Sequence, residues 1–249
     1  MSNKTVLRSD RDGLAILTLN RPDKLNSLDM QVFEDLVDHI GDIEEATDTV
    51  GCVVLRGAGR CFSAGHDLDA ISEGESSEEL QFQASVIEAL ANLPQPVICA
   101  VHSHCYTGAL ELALGGDIIL ASANARFGDT HAKWGLTPLW GMSQRLPRRV
   151  GVAKAREMMF TCRTYSGAEA VAMGLANACF DDAEFEQKVE EFAREILVNS
   201  WFSNAANKRL LSDTDGMSLA AGLAHEFFRN EGQAPDVEAR IARFSKRKG

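Results

Sequence analysis

The chain has 249 residues, 45% of them hydrophobic and 24% charged, the proportions of an ordinary soluble globular protein with enough length for one large core. Its net charge of −11 speaks against a nucleic-acid partner, which needs a basic stripe, while leaving room for an anionic ligand at a local basic patch. No apolar run reaches membrane-spanning length and the first twenty residues lack a secretory pattern, so the expected compartment is the cytoplasm and the six cysteines, without CxxC spacing, are expected to be reduced.

In chain order, residues 4–8 and 13–19 run apolar or alternate about Asp10-Arg11-Asp12-Gly13, which predicts a hairpin closed by Asn20-Arg21-Pro22-Asp23. From Asp29 onward Val32, Phe33, Leu36, Val37, Ile40 and Ile43 recur at helical spacing, with acids on a solvated opposite face. The β-branched run from Val53 predicts a buried strand, followed by glycine-rich breaks and the bend Ala64-Gly65-His66-Asp67. The polar stretch 72–78 reads as a mobile loop, 79–92 as a helix stopped by Leu93-Pro94-Gln95-Pro96, and 97–101 as a second buried strand. The strand–strand–helix pattern thus recurs before 46, over 50–92 and over 97–115, with further strands at 117–121 and 126–128. After residue 150 the pattern turns helical, over 152–162, 167–174, 183–198, 200–212 and 216–230. The expected fold class is α/β, a spiral of repeated ββα units over residues 1–197 with a C-terminal helical subdomain over 198–249.

Two bends carry the chemistry. At Ala64-Gly65-His66-Asp67 and again at Tyr106-Thr107-Gly108, each after a strand and before a helix, glycine lets the backbone approach a ligand and aim an N–H at an oxygen gaining negative charge. Glu111 follows Gly108 by one helical turn, so its carboxylate projects from the turn that presents the second donor, although a glutamate there also simply suits a helix N-terminus. Together they point to a polarised carbonyl with proton transfer beside it. His102 and His104, on one face of an extended segment, form a possible metal pair, but no further ligand follows at metal spacing and no metal is expected. There is no P-loop, no strand-borne GxGxxG and no GxSxG elbow.

Several linked blocks resemble the enoyl-CoA hydratase/isomerase (crotonase) family. They are Leu19-Asn20-Arg21-Pro22 with Leu25-Asn26-Ser27-Leu28, Phe62-Ser63-Ala64-Gly65-His66-Asp67-Leu68, Gly108-Ala109-Leu110-Glu111-Leu112-Ala113 with Asp117-Ile118, and Phe127-Gly128. Ser143-Gln144-Arg145-Leu146 and Ser166-Gly167-Ala168-Glu169-Ala170 with Gly174-Leu175 continue them in order to about residue 180. The resemblance implies a crotonase-like spiral, an acyl-CoA thioester substrate, and oxyanion donors at the backbone N–H groups of His66 and Gly108. It further implies an acid/base role for Glu111, and CoA contacts from Ala64, Gly65, Asp67 and Lys24, with Lys246, Arg247 and Lys248 as further cations for the phosphates. Trp134 and Trp140 fall where the family's acyl pocket is bordered. The tail helices imply a homotrimer, or a hexamer built from two trimers. No cofactor is implied, coenzyme A being part of the substrate.

The sequence departs from the family where the second catalytic glutamate is expected: His131 stands there, in Asp129-Thr130-His131-Ala132-Lys133. Histidine transfers protons near neutral pH, and Asp129 would lie on its side of an extended segment to orient it or substitute for it. His102-Ser103 and Thr107 also replace residues usual in the family, Thr107 replacing a glycine. The expected activity is hydration of a trans-2-enoyl-CoA. The alternatives are an enoyl-CoA isomerase, an acyl-CoA decarboxylase, whose later-loop tyrosine is missing at Thr137-Pro138-Leu139, and a non-catalytic CoA-binding paralogue.

Overall fold

In the computed structural model, which describes residues 4–246, β1 (Val6–Arg11) and β2 (Leu14–Leu19) form the expected hairpin, turning on Asp12 and Gly13 at φ of 51° and 83°. The chain then enters α1 (Met30–Glu45), started by the Asp29 side chain, which accepts from the Val32 N–H. Val32, Phe33, Leu36, Ile40 and Ile43 bury the predicted face of this helix. It crosses to β3 (Cys52–Gly57), which pairs in parallel with β2.

Residues 72–78 depart from the expected loop. The chain forms α2 (Leu68–Glu73) and then α3 (Ser77–Asn92), leaving only 74–76 as a link. Asp67 caps the first helix, and Ser76 with Glu79 forms a capping box on the second. Next come β4 (Val97–Val101), β5 (His104–Tyr106), α4 (Gly108–Leu114), β6 (Ile118–Ser122), β7 (Arg126–Gly128) and α5 (His131–Trp134). Ser103, at φ 51°, breaks the extended run between His102 and His104. The two rings therefore do not form the face expected for a metal pair: His102 contacts Gly59 O, and His104 stacks on Tyr106.

The helix α6 (Met142–Thr161) breaks at Gly151 (φ 77°, ψ 154°), and its second half is the helix expected at 152–162. Then follow β8 (Tyr165–Ser166), α7 (Gly167–Ala172), β9 (Ala178–Phe180), α8 (Phe185–Leu197), α9 (Trp201–Asp213), α10 (Leu219–Arg229) and α11 (Val237–Lys246). The later turns of the spiral give strands to two sheets, the first ones to a single sheet. One has the order β1-β2-β3-β4-β6-β9 and the other β5-β7-β8, with the main apolar core between helices and strands. This is the α/β architecture expected, ending in helices.

The helix α9 is keyed to the front of the chain. The Trp201 ring fills a notch between Gly13 and Gly51, where a Cβ would come within 2.6 Å and 2.2 Å of it. Lys208 Nζ reaches Asp117 at 2.7 Å and the Gln95 carbonyl at 3.1 Å. Four of the cysteines are buried, and burial pushes the Cys52 and Cys99 thiols up to about 12. Among the described residues no helix is long and apolar enough to cross a membrane. Arg247 and Lys248 lie outside the described residues.

Candidate active site

The two bends meet. At the first, Gly65 at φ 107° passes so close to the second that a Cβ on it would stand 2.6 Å from Tyr106 O. A parallel bridge to Leu28 uses the Gly65 carbonyl and the Asp67 N–H, each at 2.9 Å, so the intervening His66 N–H faces the other way. That way lies Gly108, the first residue of α4, whose N–H has no acceptor within the helix. A Cβ on Gly108 would lie 3.1 Å from His66 N and 2.5 Å from Trp140 Cζ3. The two unpaired amides therefore border one small space, floored by Trp140, on a cavity of about 790 Å³.

Each bend has its own brace. Asp67 Oδ2 accepts from Arg21 Nη1 (2.9 Å) and Ser27 Oγ (2.8 Å), and Oδ1 accepts from Asp69 N (3.0 Å). Burial raises the Asp67 carboxyl, but these donors outweigh it and hold it below the ordinary carboxylate range. Asp67 borders the cavity, as expected of a CoA contact, yet both its oxygens are engaged within the chain. Arg21, which the sequence places in a turn and in the first family-like block, also binds Asp29 at 2.8 Å and the Ser27 carbonyl at 2.6 Å.

At the second bend Thr107 adopts φ 51°, ψ −109°, a conformation foreign to a β-branched residue and native to the glycine expected there. Its N–H donates to Gly128 O (2.9 Å), while its hydroxyl pairs with that of Thr130 and accepts from the Thr130 N–H (3.1 Å).

Glu111 projects from α4 and is 1% exposed. Its Oε1 accepts from the N–H groups of Trp140 and Met142, each at 3.0 Å, and its Oε2 lies 3.6 Å from His131 Nε2. Burial pushes its pKa up, only partly offset by the Met142 N–H, His131 and the Trp140 N–H. His131 does not lie in an extended segment. It opens the short α5, and Asp129 Oδ1 accepts both its backbone N–H (3.1 Å) and its ring Nδ1–H (2.6 Å). A carboxylate only accepts, so Nδ1 donates to Asp129, and Nε2 is the ring nitrogen that faces Glu111. Asp129 thus orients the imidazole, through a turn rather than by strand alternation.

Ala64 also lines the cavity, and Lys24 stands at its mouth, exposed and 3.1 Å from Asp69. Lys133, a cation the sequence reading passed over, flanks the mouth 5.8 Å from the Trp134 ring centre. Trp134 is exposed at the rim, whereas Trp140 is buried against Phe33 and His66. Among the described residues no cluster of three or more His, Cys, Asp or Glu could hold a metal ion.

The family model described as enoyl-CoA hydratase/isomerase matches residues 9–245. The chain belongs to that family. It is 32% identical to a short-chain-enoyl-CoA hydratase of Clostridium acetobutylicum, over 91% of this chain and 88% of that one. It is 31% identical to the 1,2-epoxyphenylacetyl-CoA isomerase of Escherichia coli, over 96% and 94%. The crystal structure of an enoyl-CoA hydratase from Bacillus anthracis superposes with a TM-score of 0.90 at 29% identity, covering 98% of this chain and 96% of that one. The family's chemistry is that of CoA thioesters, and its members include both hydratases and isomerases.

Proposed function

We propose that this protein is an enoyl-CoA hydratase, adding water across C2=C3 of a trans-2-enoyl-CoA. The observation that carries the reading is the 3.6 Å approach of Glu111 Oε2 to His131 Nε2 beside two unpaired amides. Two polar atoms at that separation both reach one water at hydrogen-bond distance.

In this mechanism the thioester oxygen accepts from the His66 and Gly108 N–H groups. His131 Nε2, kept free by Asp129, takes a proton from water as its oxygen bonds to C3. The electron pair of the double bond moves onto the thioester as an enolate, held by the two amides. Glu111, whose raised pKa favours the protonated form, delivers a proton to C2. The proton on His131 then returns to Glu111 and restores the starting state. Ala64, Gly65 and Lys24 are the proposed contacts for the CoA portion. The apolar side chains left bare on α10, among them Leu219, Phe227 and Phe228, support assembly with further copies of the chain as a trimer or hexamer.

The test is the conjugated absorbance of a short trans-2-enoyl-CoA, which hydration removes. Glu111→Gln is expected to slow the loss by ~10²–10⁴-fold, and so is His131→Ala. Unchanged rates in both would remove these side chains from the chemistry. An isomerase reading is supported by likeness to a monofunctional enoyl-CoA isomerase of M. smegmatis, at 35% identity and a TM-score of 0.77 over 89% of this chain and 99% of that one, and it needs only one shuttling base. On that reading a 3-enoyl-CoA gains the chromophore instead.

A further inference from the structure

The wall of the cavity next to the amides is more polar than hydration of an alkyl chain requires. The His66 ring lies over Trp140, with centroids 4.5 Å apart, and its Nε2 is enclosed 2.7 Å from Glu75 Oε2, off the line of an aligned hydrogen bond. Glu75, on the short link between α2 and α3, accepts through its other oxygen from Gln83 Nε2 at 2.5 Å. Gln83 is wholly buried and its Oε1 has no partner, and Trp140 Nε1 is likewise enclosed without one. Neither Glu75 nor Gln83 touches Glu111 or His131, so the proposed proton transfers do not account for them.

Removing an imidazole and a carboxylate from water is costly unless their hydrogen-bonding capacity is met, and buried polar groups left unmet need a reason. His66 lines the cavity, and of its two ring nitrogens only Nε2 is enclosed without a partner, which leaves Nδ1 as the one open to a ligand. An alkyl chain would leave that nitrogen without a partner. A neutral imidazole with its proton on Nε2, the nitrogen nearer the Glu75 carboxylate, offers a lone pair at Nδ1, and an imidazolium offers an N–H there. A hydroxyl answers both states by donating to the first and accepting from the second. An acyl carboxylate would instead meet the carboxylate of Glu75 on the same cavity. Resting on the enoyl thioester reading, we propose that His66 and Glu75 form an acyl subsite selecting a thioester with a hydroxyl group beyond C3. Ile71 and Leu80 line the cavity beside Glu75 and suit the methylenes that carry it.

The test compares trans-2-hexenoyl-CoA with its 4-, 5- and 6-hydroxy derivatives and with the ester bearing a terminal carboxylate. For at least one hydroxy ester, kcat/KM is expected to exceed that of the alkyl ester by tenfold or more, worth ~1.4 kcal/mol, and the carboxylate ester is expected to be the poorest. Glu75→Gln and His66→Leu, the latter keeping the backbone donor, are expected to bring the hydroxy-to-alkyl ratio near one. No hydroxy ester preferred over the alkyl ester, or a preference that survives both variants, overturns the proposal. Calorimetric binding of hexanoyl-CoA and its 4-, 5- and 6-hydroxy derivatives keeps the two readings apart. Tighter binding of a hydroxy ester without turnover of any enoyl ester would sink the hydratase and leave the subsite, whereas turnover with equal binding would do the reverse.

Discussion

The two bends deliver the same thing, an unpaired amide facing a shared point, by opposite means. The first is held by charge, with Asp67 gripped by Arg21 and Ser27 and the backbone laid against Leu28. The second is held by strain, with Thr107 kept in a glycine-like conformation by its ties to Thr130 and Gly128. A charge-held bend should fail when its counterion goes, and a strain-held bend when something must occupy the space it clears.

The strongest break is therefore at Gly108. Gly108→Ala drives a methyl against Trp140 and the His66 amide, and kcat on the enoyl ester is expected to fall ~10²–10³-fold. A kcat within a factor of three would mean that these amides do not grip the reacting oxygen. Next, Arg21→Ala strands the buried Asp67 and is expected to cost about 3 kcal/mol in urea unfolding. A loss too small to measure would assign the first bend to the Leu28 bridge alone.

A smaller effect is expected from Glu111→Gln on folding rather than turnover. The native carboxyl holds its proton to higher pH than the unfolded one, so its contribution to stability declines as pH rises from the ordinary glutamate value through the raised native one. The variant should thus gain on the wild type in thermal melts as pH rises above the ordinary glutamate value, and a constant difference would contradict the burial argument. Least of all, Thr107→Gly exchanges relief of strain for a lost tether, and stability should stay within about 1 kcal/mol. A fall in kcat at unchanged stability would show that the tether to Thr130 aligns the site.

Much of this was legible in the residues. The β-branched run at Val53, the helical stripe from Val32 to Ile43 and the bends at Gly65 and Gly108 are local patterns, and local patterns survive folding. The family resemblance supplied the pairing of the bends, which spacing alone does not give. What escaped was set by tertiary contact. The strands β5, β8 and β9 have two or three residues each and exist because a neighbour pairs with them. The polar run 72–78 reads as loop, though α2 and α3 take its two ends and the short link left between them sets Glu75 against His66. Arg21 stands in one of the family-like blocks, but its grip on Asp67, 46 residues away, is a tertiary contact that spacing does not show. Asp129 was rightly tied to His131 but by the wrong geometry, a short helix replacing the extended segment.

The glycines at 13 and 51 have a consequence for anyone dividing this protein. They form a socket that only an aromatic plug arriving from residue 201 fills, so the opening hairpin and the late helices complete one another. A chain ended before that plug would present water with a bare hollow at the edge of its first sheet, and would shed the lysine that seals Asp117. Shortened versions meant to isolate the catalytic portion should keep α9.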